Sequence, residues 1–386
     1  MACVGFLSIF VFYFIKSMRK VIVSVSNDLV TDNRVDKTCR TIVESGYEVV
    51  LIGRLCKNSP QMNTRPYSFI RKKLFFSKGF LFYANLNVFL FFKLLFSRFD
   101  LLWANDLDTL FANFLVSKIR NKPLIYDSHE HFTEVPELKY NKFAKWFWKK
   151  VERCILPRLK YVITVCNPIK DYFKTTYEVE ALVVRNCPKK DFAKRLKSKE
   201  DLGMPDMPIL VWQGGGCNIE RGMEELVESM QWIDAHLYII GGGDVYEDLK
   251  KLSKGFGVDY KISFPGRLNF DEMMQYTFNA TIGLSLDKDT NLNYSISLPN
   301  KLFEYVHAEI PFLITPLSEI KPIVEAFNCG EFINHHDPVY LAEMINSLLK
   351  DDEKRLLYSQ NSKKAKEILC WEEEEKKIID LLTTIK

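Results

Sequence analysis

Short apolar runs alternate along this chain with stretches whose apolar positions recur every three or four residues. Residues 21–26 (VIVSVS) predict a buried strand, residues 34–46 a helix closed by Gly46, and residues 48–52 (EVVLI) a second strand. Residues 67–72 predict a third strand and 80–97 a long apolar helix. Strands at 101–104, 123–126, 161–165 and 181–184 follow, with helical patterns between them. Around 186–208 the pattern breaks into Asn-Cys-Pro, a charged run and two more prolines, as a linker does. It then restarts. Residues 209–212, 236–240 and 260–264 read as strands, 220–232 and 244–254 as helices, and 270–277, 279–285, 300–308, 311–315 and 319–327 continue the series. A charged helical tail occupies 338–386. Strand–helix alternation implies right-handed βαβ units and parallel sheets. The expected fold is α/β: two Rossmann-like doubly wound parallel-sheet domains facing a central cleft. Their limits are expected at 18–190 and 191–365, with a C-terminal helix at 366–386 that can cross back to the first domain.

A length of 386 residues suits two domains. The nine cysteines are scattered, none in a C-x-x-C pair, which fits a reducing compartment and gives no zinc pattern. Residues 1–17 hold an apolar run too short to span a bilayer, with no basic residue ahead of it. It reads either as an extension upstream of a start at Met18 or as a short membrane anchor. The net charge of +4 hides an asymmetry: residues 1–190 carry 31 Lys+Arg against 16 Asp+Glu, and residues 191–386 carry 22 against 33. A basic half suggests a polyanionic partner. The basic, aromatic-rich region 71–98 narrows this to an anionic membrane surface. Arg71, Lys72, Lys73 and Lys78 lie there beside Phe75, Phe76, Phe80 and Leu81, and Lys93 and Arg98 near the helix end. No other feature points to nucleic acid.

Four segments carry candidate chemistry. The turn from Asn27 and Asp28 to Arg34 follows the first strand and precedes a helix, where backbone N–H groups can meet an anion or a sugar. It lacks the glycines of a dinucleotide fingerprint. Asp28 or Asp32 could equally serve as a helix cap. Tyr126-Asp127-Ser128-His129-Glu130-His131 gathers ionisable groups at a strand's carboxyl end, where doubly wound folds bind ligands. Gly214, Gly215 and Gly216 lie between a strand and a helix, with Arg221 close behind, and Gly241-Gly242-Gly243 repeats the design. Such turns let backbone N–H groups approach phosphate, and the arginine adds a fork of donors. Neither is an ATPase phosphate loop. In Pro299-Asn300-Lys301-Leu302-Phe303-Glu304-Tyr305, Lys301 and Glu304 share one helix face. The lysine near a helix N-terminus wants an anion beside it. The alternative is an ordinary surface ion pair.

Residues 299–305 with Ile310-Pro311, residues 26–35 with Gly46-Tyr47-Glu48-Val49, residues 126–130, and Gly241–Gly243 before Asp244 together resemble the family 4 glycosyltransferases. That resemblance, of the bacterial surface-polysaccharide type, extends from about Lys20 to the C-terminus. It implies the GT-B architecture and retaining, metal-independent transfer from a nucleotide diphosphate sugar, with no cofactor. It also implies an acceptor-side N-terminal domain and a donor-binding C-terminal one. By resemblance Glu304 holds the donor ribose, Arg221 and Lys301 the diphosphate, and His129 lies near the transferred sugar. Gly214, Gly215 and Gly216 line the phosphates, the turn after Gly241 meets the base, and Asn300 joins the donor site. Asn27, Asp28 and Glu130 belong to the acceptor or sugar side. Ile296 stands where the family usually has another glutamate, and Asn27-Asp28 where it has a glycine pair. These departures keep two rivals open: a nucleotide-sugar 2-epimerase of the same fold, and a non-catalytic membrane-associated partner of another transferase. The expected location is cytoplasmic, peripheral to the inner face of the membrane, with a glycan or lipid-linked acceptor.

Overall fold

The computed structural model describes residues 18–385, apart from 31, 58, 60, 136, 137, 139, 140 and 192–195. The apolar segment 1–17 thus lies outside the described residues. Each half forms one parallel sheet. The first runs β1 (Lys20–Asp28), α1 (Asn33–Glu44), β2 (Glu48–Arg54), β3 (Ser68–Lys72), α2 (Gly79–Leu95), β4 (Leu101–Asn105), α3 (Asp106–Arg120), β5 (Leu124–Ser128), α4 (Lys142–Ile155), β6 (Tyr161–Thr164), α5 (Asn167–Tyr177) and β7 (Leu182–Val183). Its strand order is β3-β2-β1-β4-β5-β6-β7. The second runs β8 (Ile209–Gly214), α6 (Met223–Ser229), β9 (His236–Gly241), α7 (Tyr246–Gly255), β10 (Ile262–Gly266), α8 (Phe270–Phe278), β11 (Ile282–Ser285), α9 (Leu292–Ser295), α10 (Asn300–Ala308), β12 (Phe312–Ile314), α11 (Lys321–Phe327) and β13 (Glu331–Phe332). Its order is β10-β9-β8-β11-β12-β13. All pairings are parallel. The tail forms α12 (Pro338–Lys350), α13 (Asp352–Lys366) and α14 (Trp371–Thr384).

The central strands are apolar on both faces because helices cover both. β4 and β5 are buried throughout. Helix α2 covers its side of the sheet with Phe82, Leu86, Leu90 and Leu94, a stripe spaced by four residues, and turns much of its aromatic surplus outward. Helix α6 starts at Met223 rather than 220, because Glu220 and Gly222 take left-handed backbone with φ 69° and 67°. The strand expected at 260–264 begins at Ile262, after a short 3₁₀ turn over Asp259–Lys261. The two-residue edge strand β13 lies in a stretch the sequence pattern left unassigned.

In each sheet the order reverses between the first strand and its inner neighbour, β1/β4 and β8/β11. Crevices at such points bind ligands in doubly wound folds. Segments following strand carboxyl ends also join the domains. Cys166 Sγ donates to the Ile296 carbonyl at 3.5 Å, Asn167 N–H to Glu319 at 3.2 Å, and Asn186 Nδ2 to Asn300 Oδ1 at 3.0 Å. Helix α14 packs on the N-terminal sheet's layer. Trp371, Ile378 and Leu382 share an apolar cluster with Val35, Cys39 and Ile42 of α1, and Trp371 Nε1 donates to Thr41 Oγ1 at 3.0 Å. Among the described residues no helix is long and apolar enough to cross a membrane.

Candidate active site

Next to the N-terminal switch point β4 and β5 end side by side, with Asn105 level with Asp127. His129 comes just after β5. Its Nδ1 lies 3.3 Å from Asp106 Oδ2 and its Nε2 3.6 Å from Asp127 Oδ2. The Asp106 carboxylate also accepts the His129 backbone N–H at 2.9 Å. Asp127 is fully buried and pairs with Arg34 of α1 at 2.8 Å, and Arg34 also donates to the Val184 carbonyl at 2.8 Å. Burial works against the His129 charge, but Asp106 and Asp127 outweigh it and raise its pKa to about 9. The histidine is therefore cationic at neutral pH, not the neutral donor that an ordinary imidazole would be. His131, from the same segment, turns into the core against Tyr172, and burial pushes its pKa down to about 4. Glu130 stays at the surface.

The first-strand turn is already tied together. Asp32 caps α1 by accepting from Val35 N at 3.1 Å, and Asn27 donates to Asp32 at 3.2 Å. Asp28 pairs with Arg71 of β3 at 3.0 Å and accepts from the Ser59 hydroxyl. Arg71 is thus turned inward by a partner on a neighbouring segment, and it leaves the set of surface cations expected for a membrane face.

The C-terminal half contributes two glycine turns that touch. Gly214 and Gly241 pair in register at the ends of β8 and β9, and a Cβ on Gly241 would stand 2.2 Å from the Gly214 carbonyl oxygen. Cys217 N donates to the Gly242 carbonyl at 2.9 Å, and Val245 N to the Cys217 carbonyl at 3.1 Å. The segment 214–217 and the turn 241–243 therefore form one continuous surface. Past it lie Arg221 and, from α10, Lys301 and Glu304. Arg221 Nη1 sits 3.0 Å and Lys301 Nζ 3.4 Å from the two carboxylate oxygens of Asp287, which is 1% exposed. Arg221 lies over the Tyr294 ring and Lys301 over the Trp212 ring, each at 4.5 Å. Glu304 accepts from Gln213 Nε2 at 2.6 Å, and Gln213 in turn accepts from the Thr277 hydroxyl. Burial raises the Glu304 carboxyl, with Gln213 and Lys301 opposing. The structure thus brings Arg221, Lys301 and Glu304 to one place beside Gly214, Gly215, Gly216 and Gly241, with Asn300 at the start of the same helix. Asn27, Asp28 and His129 belong to the opposite sheet. Ile296 packs against the N-terminal domain's apolar cluster.

Asp106 and Asp287 were not singled out from the sequence. Each follows a strand end, and its partners come from other segments: His129 after β5 for Asp106, and Arg221 with Lys301 of α10 for Asp287. No group of three His, Cys, Asp or Glu among the described residues has metal-ligand geometry.

The sequence model for Glycosyltransferase Family 4 matches residues 32–187, and that for Glycosyl transferases group 1 matches residues 194–365. The chain belongs to the glycosyltransferases. The enzyme's fold is GT-B, as its structural neighbours agree. Sucrose-phosphate synthase from Thermosynechococcus elongatus superposes with a TM-score of 0.78 at 16% identity, over 95% of this chain and 98% of that one. Anabaena Alr3699/HepE, solved with UDP-glucose, gives 0.73 at 13% identity over 95% and 99%. WaaG, a glycosyltransferase involved in lipopolysaccharide biosynthesis, gives 0.67 at 14% identity over 94% and 99%. Among curated proteins none matches the enzyme in sequence.

Proposed function

We propose that the enzyme moves a hexosyl unit from a nucleotide diphosphate sugar to a hydroxyl of a glycan or lipid-linked acceptor, retaining anomeric configuration and without a metal ion. The observation that carries this reading is the meeting of Arg221 and Lys301 at one buried carboxylate, beside the joined glycine turns and one helical turn from Glu304. Two cations and a glycine surface suit a diphosphate. A carboxylate at Glu304 suits a ribose diol. The neighbour solved with UDP-glucose supports a nucleotide-sugar donor.

In this mechanism the C1–O bond of the donor breaks, its electron pair passes to the departing phosphate oxygen, and the acceptor oxygen bonds C1 from the same face. The acceptor's proton leaves to the departing diphosphate. Arg221 and Lys301 stabilise the growing charge, which is worth most in the transition state. The His129 imidazolium faces the sugar from the other domain. With Ile296 in an apolar contact, the usual glutamate's work on the sugar falls to other groups. The test is a panel of nucleotide sugars, with and without chelator, read by nucleotide release. NMR of the product then gives its anomeric configuration. Release of free epimerised sugar without acceptor would favour a 2-epimerase, and no turnover with any donor a non-catalytic partner.

The reading includes docking on the inner face of an anionic membrane. Phe75 and Phe96 are 92% and 80% exposed, and Phe76, Phe80, Leu81 and Phe92 are also exposed, beside Lys72, Lys73, Lys78 and Lys93. Helix α4 extends this face. Phe147 contacts Phe80 at 5.7 Å, and exposed Phe143 and Trp146 stand among Lys142, Lys149 and Lys150. Aromatics mixed with lysines suit an anionic interface.

A further inference from the structure

Asp287 lies two residues past β11, on a loop fixed to the Arg221 loop. Lys288 N donates to the Glu220 carbonyl at 2.9 Å, and a Cβ on Gly222 would fall 2.5 Å from the Leu286 carbonyl oxygen. Only glycine fits there, so Asp287 and Arg221 are held at a set distance. Burial would raise the Asp287 carboxyl, but Lys301 and Arg221 outweigh it and hold it below the usual carboxylate range. It is an anion at any working pH. Without it, two cations would face each other in a poorly solvated site. Its contact with Arg221 leaves the guanidinium Nε–H with no acceptor among the described residues, so the fork keeps a donor for a second anion.

We propose that Asp287 is the resident counter-anion of the diphosphate site: it holds Arg221 and Lys301 in place while the site is empty and repels the nucleoside diphosphate once transfer has occurred. This rests on the reading of Arg221 and Lys301 as the diphosphate cations. The donor's diphosphate is esterified at both ends. The product ends in a phosphate monoester, which gains a further negative charge with a pKa of about 6. A fixed carboxylate between the two cations opposes that added charge more than it opposes the donor. Asp287 is a positioning residue that tunes product release.

The test is isothermal titration of the folded, full-length enzyme with UDP, GDP, ADP and inorganic pyrophosphate. Wild type is compared with Asp287→Asn, Asp287→Ser and Asp287→Glu, and with Arg221→Ala and Lys301→Ala. The neutral variants should bind the preferred nucleoside diphosphate about fivefold or more tighter, with stronger product inhibition and lower kcat, while Asp287→Glu keeps wild-type affinity. Asp287→Ser serves if Asp287→Asn does not fold. Equal or weaker binding in a folded neutral variant overturns the proposal. If Arg221→Ala and Lys301→Ala weaken binding while the neutral variants fail to tighten it, the counter-anion role alone falls. If neither cation variant affects binding, the diphosphate reading falls with it.

Discussion

Asp106 meets His129 twice across the ends of adjacent strands, accepting its backbone N–H at 2.9 Å and facing its ring Nδ1 at 3.3 Å. The contact needs Asp106 in left-handed backbone, with φ 59°. For a residue other than glycine that costs on the order of 1 kcal/mol. The interactions with His129 offset it. Because Asp127 faces the other ring nitrogen at 3.6 Å, both nitrogens carry protons most favourably.

The His129 pKa of about 9 sets a pH expectation. A folded pKa above the unfolded value contributes stability that is complete below the histidine's ordinary range and is lost as pH rises through about 9. If the imidazolium serves transfer, kcat/KM should hold to about pH 8 and fall beyond it. In Asp106→Asn the fall should move down by about one pH unit or more. An alkaline limb at the same pH in both proteins would separate the charge of His129 from Asp106.

Asp108, two residues on, has the opposite character. Burial, with Asp106 adding repulsion, raises its carboxyl to about 7. It is therefore comfortable protonated, and stability is lost as pH rises from about 4, where the unfolded carboxyl ionises, to about 7, where the loss is complete. Asp108→Asn should stabilise the enzyme by roughly 3–4 kcal/mol at pH 8 and by only about 1–2 kcal/mol at pH 5. Urea unfolding at both pH values measures it, and equal effects at the two would contradict the assignment.

Glu304→Ala should weaken donor binding by roughly 2–4 kcal/mol with the fold intact, since two hydrogen bonds to a charged acceptor are lost. Gln213→Leu should weaken it less, by freeing the Glu304 carboxylate to turn. Donor affinity within twofold of wild type in Glu304→Ala would remove the ribose assignment.

How far these groups could be read beforehand depends on the range of their contacts. The strand–helix alternation is local, so both sheets were legible. Arg221, Lys301 and Glu304 stand in motifs a few residues long. That they converge was carried only by resemblance, because the loop after β11 supplies the carboxylate that joins two of them. Asp106 and His129 are coupled by the pairing of β4 with β5, which no window along the chain contains. Arg71 was misread for the same reason: among lysines it resembles a surface cation, and only the pairing of β3 with β2 and of β2 with β1 brings it towards Asp28. The fully buried Trp371 had no local signal, since its tail reads as charged helix.

Trp371 is nonetheless central to the N-terminal domain. It is fully buried and bonded to Thr41, which itself donates to Glu375 at 2.8 Å. Trp371→Ala should cost about 3–5 kcal/mol, and calorimetry should record a fall in Tm of several degrees. An unchanged Tm would mean that α14 is held mainly by its polar contacts, such as Arg185 with Glu374 at 2.6 Å.

The membrane face gives the last expectation, and the structure divides its cations. Lys72, Lys73 and Lys78 are exposed beside Phe75, whereas Arg71 is 12% exposed and committed to Asp28. Each lysine near an anionic leaflet contributes about 1 kcal/mol, and inserted aromatics add apolar burial. Replacing Lys72, Lys73 and Lys78 by Glu should therefore reduce co-sedimentation with anionic vesicles by about tenfold or more. Phe75→Ser with Phe96→Ser should weaken it at every lipid charge. Arg71→Glu acts differently. It sets two carboxylates together at Asp28, so it should lower thermal stability more than it lowers vesicle binding. High salt should release the wild-type enzyme in part, because screening removes the charge contribution and leaves the aromatic one. Binding that ignores lipid charge, or that survives the triple Lys→Glu change, would mean that this face does not dock on an anionic membrane.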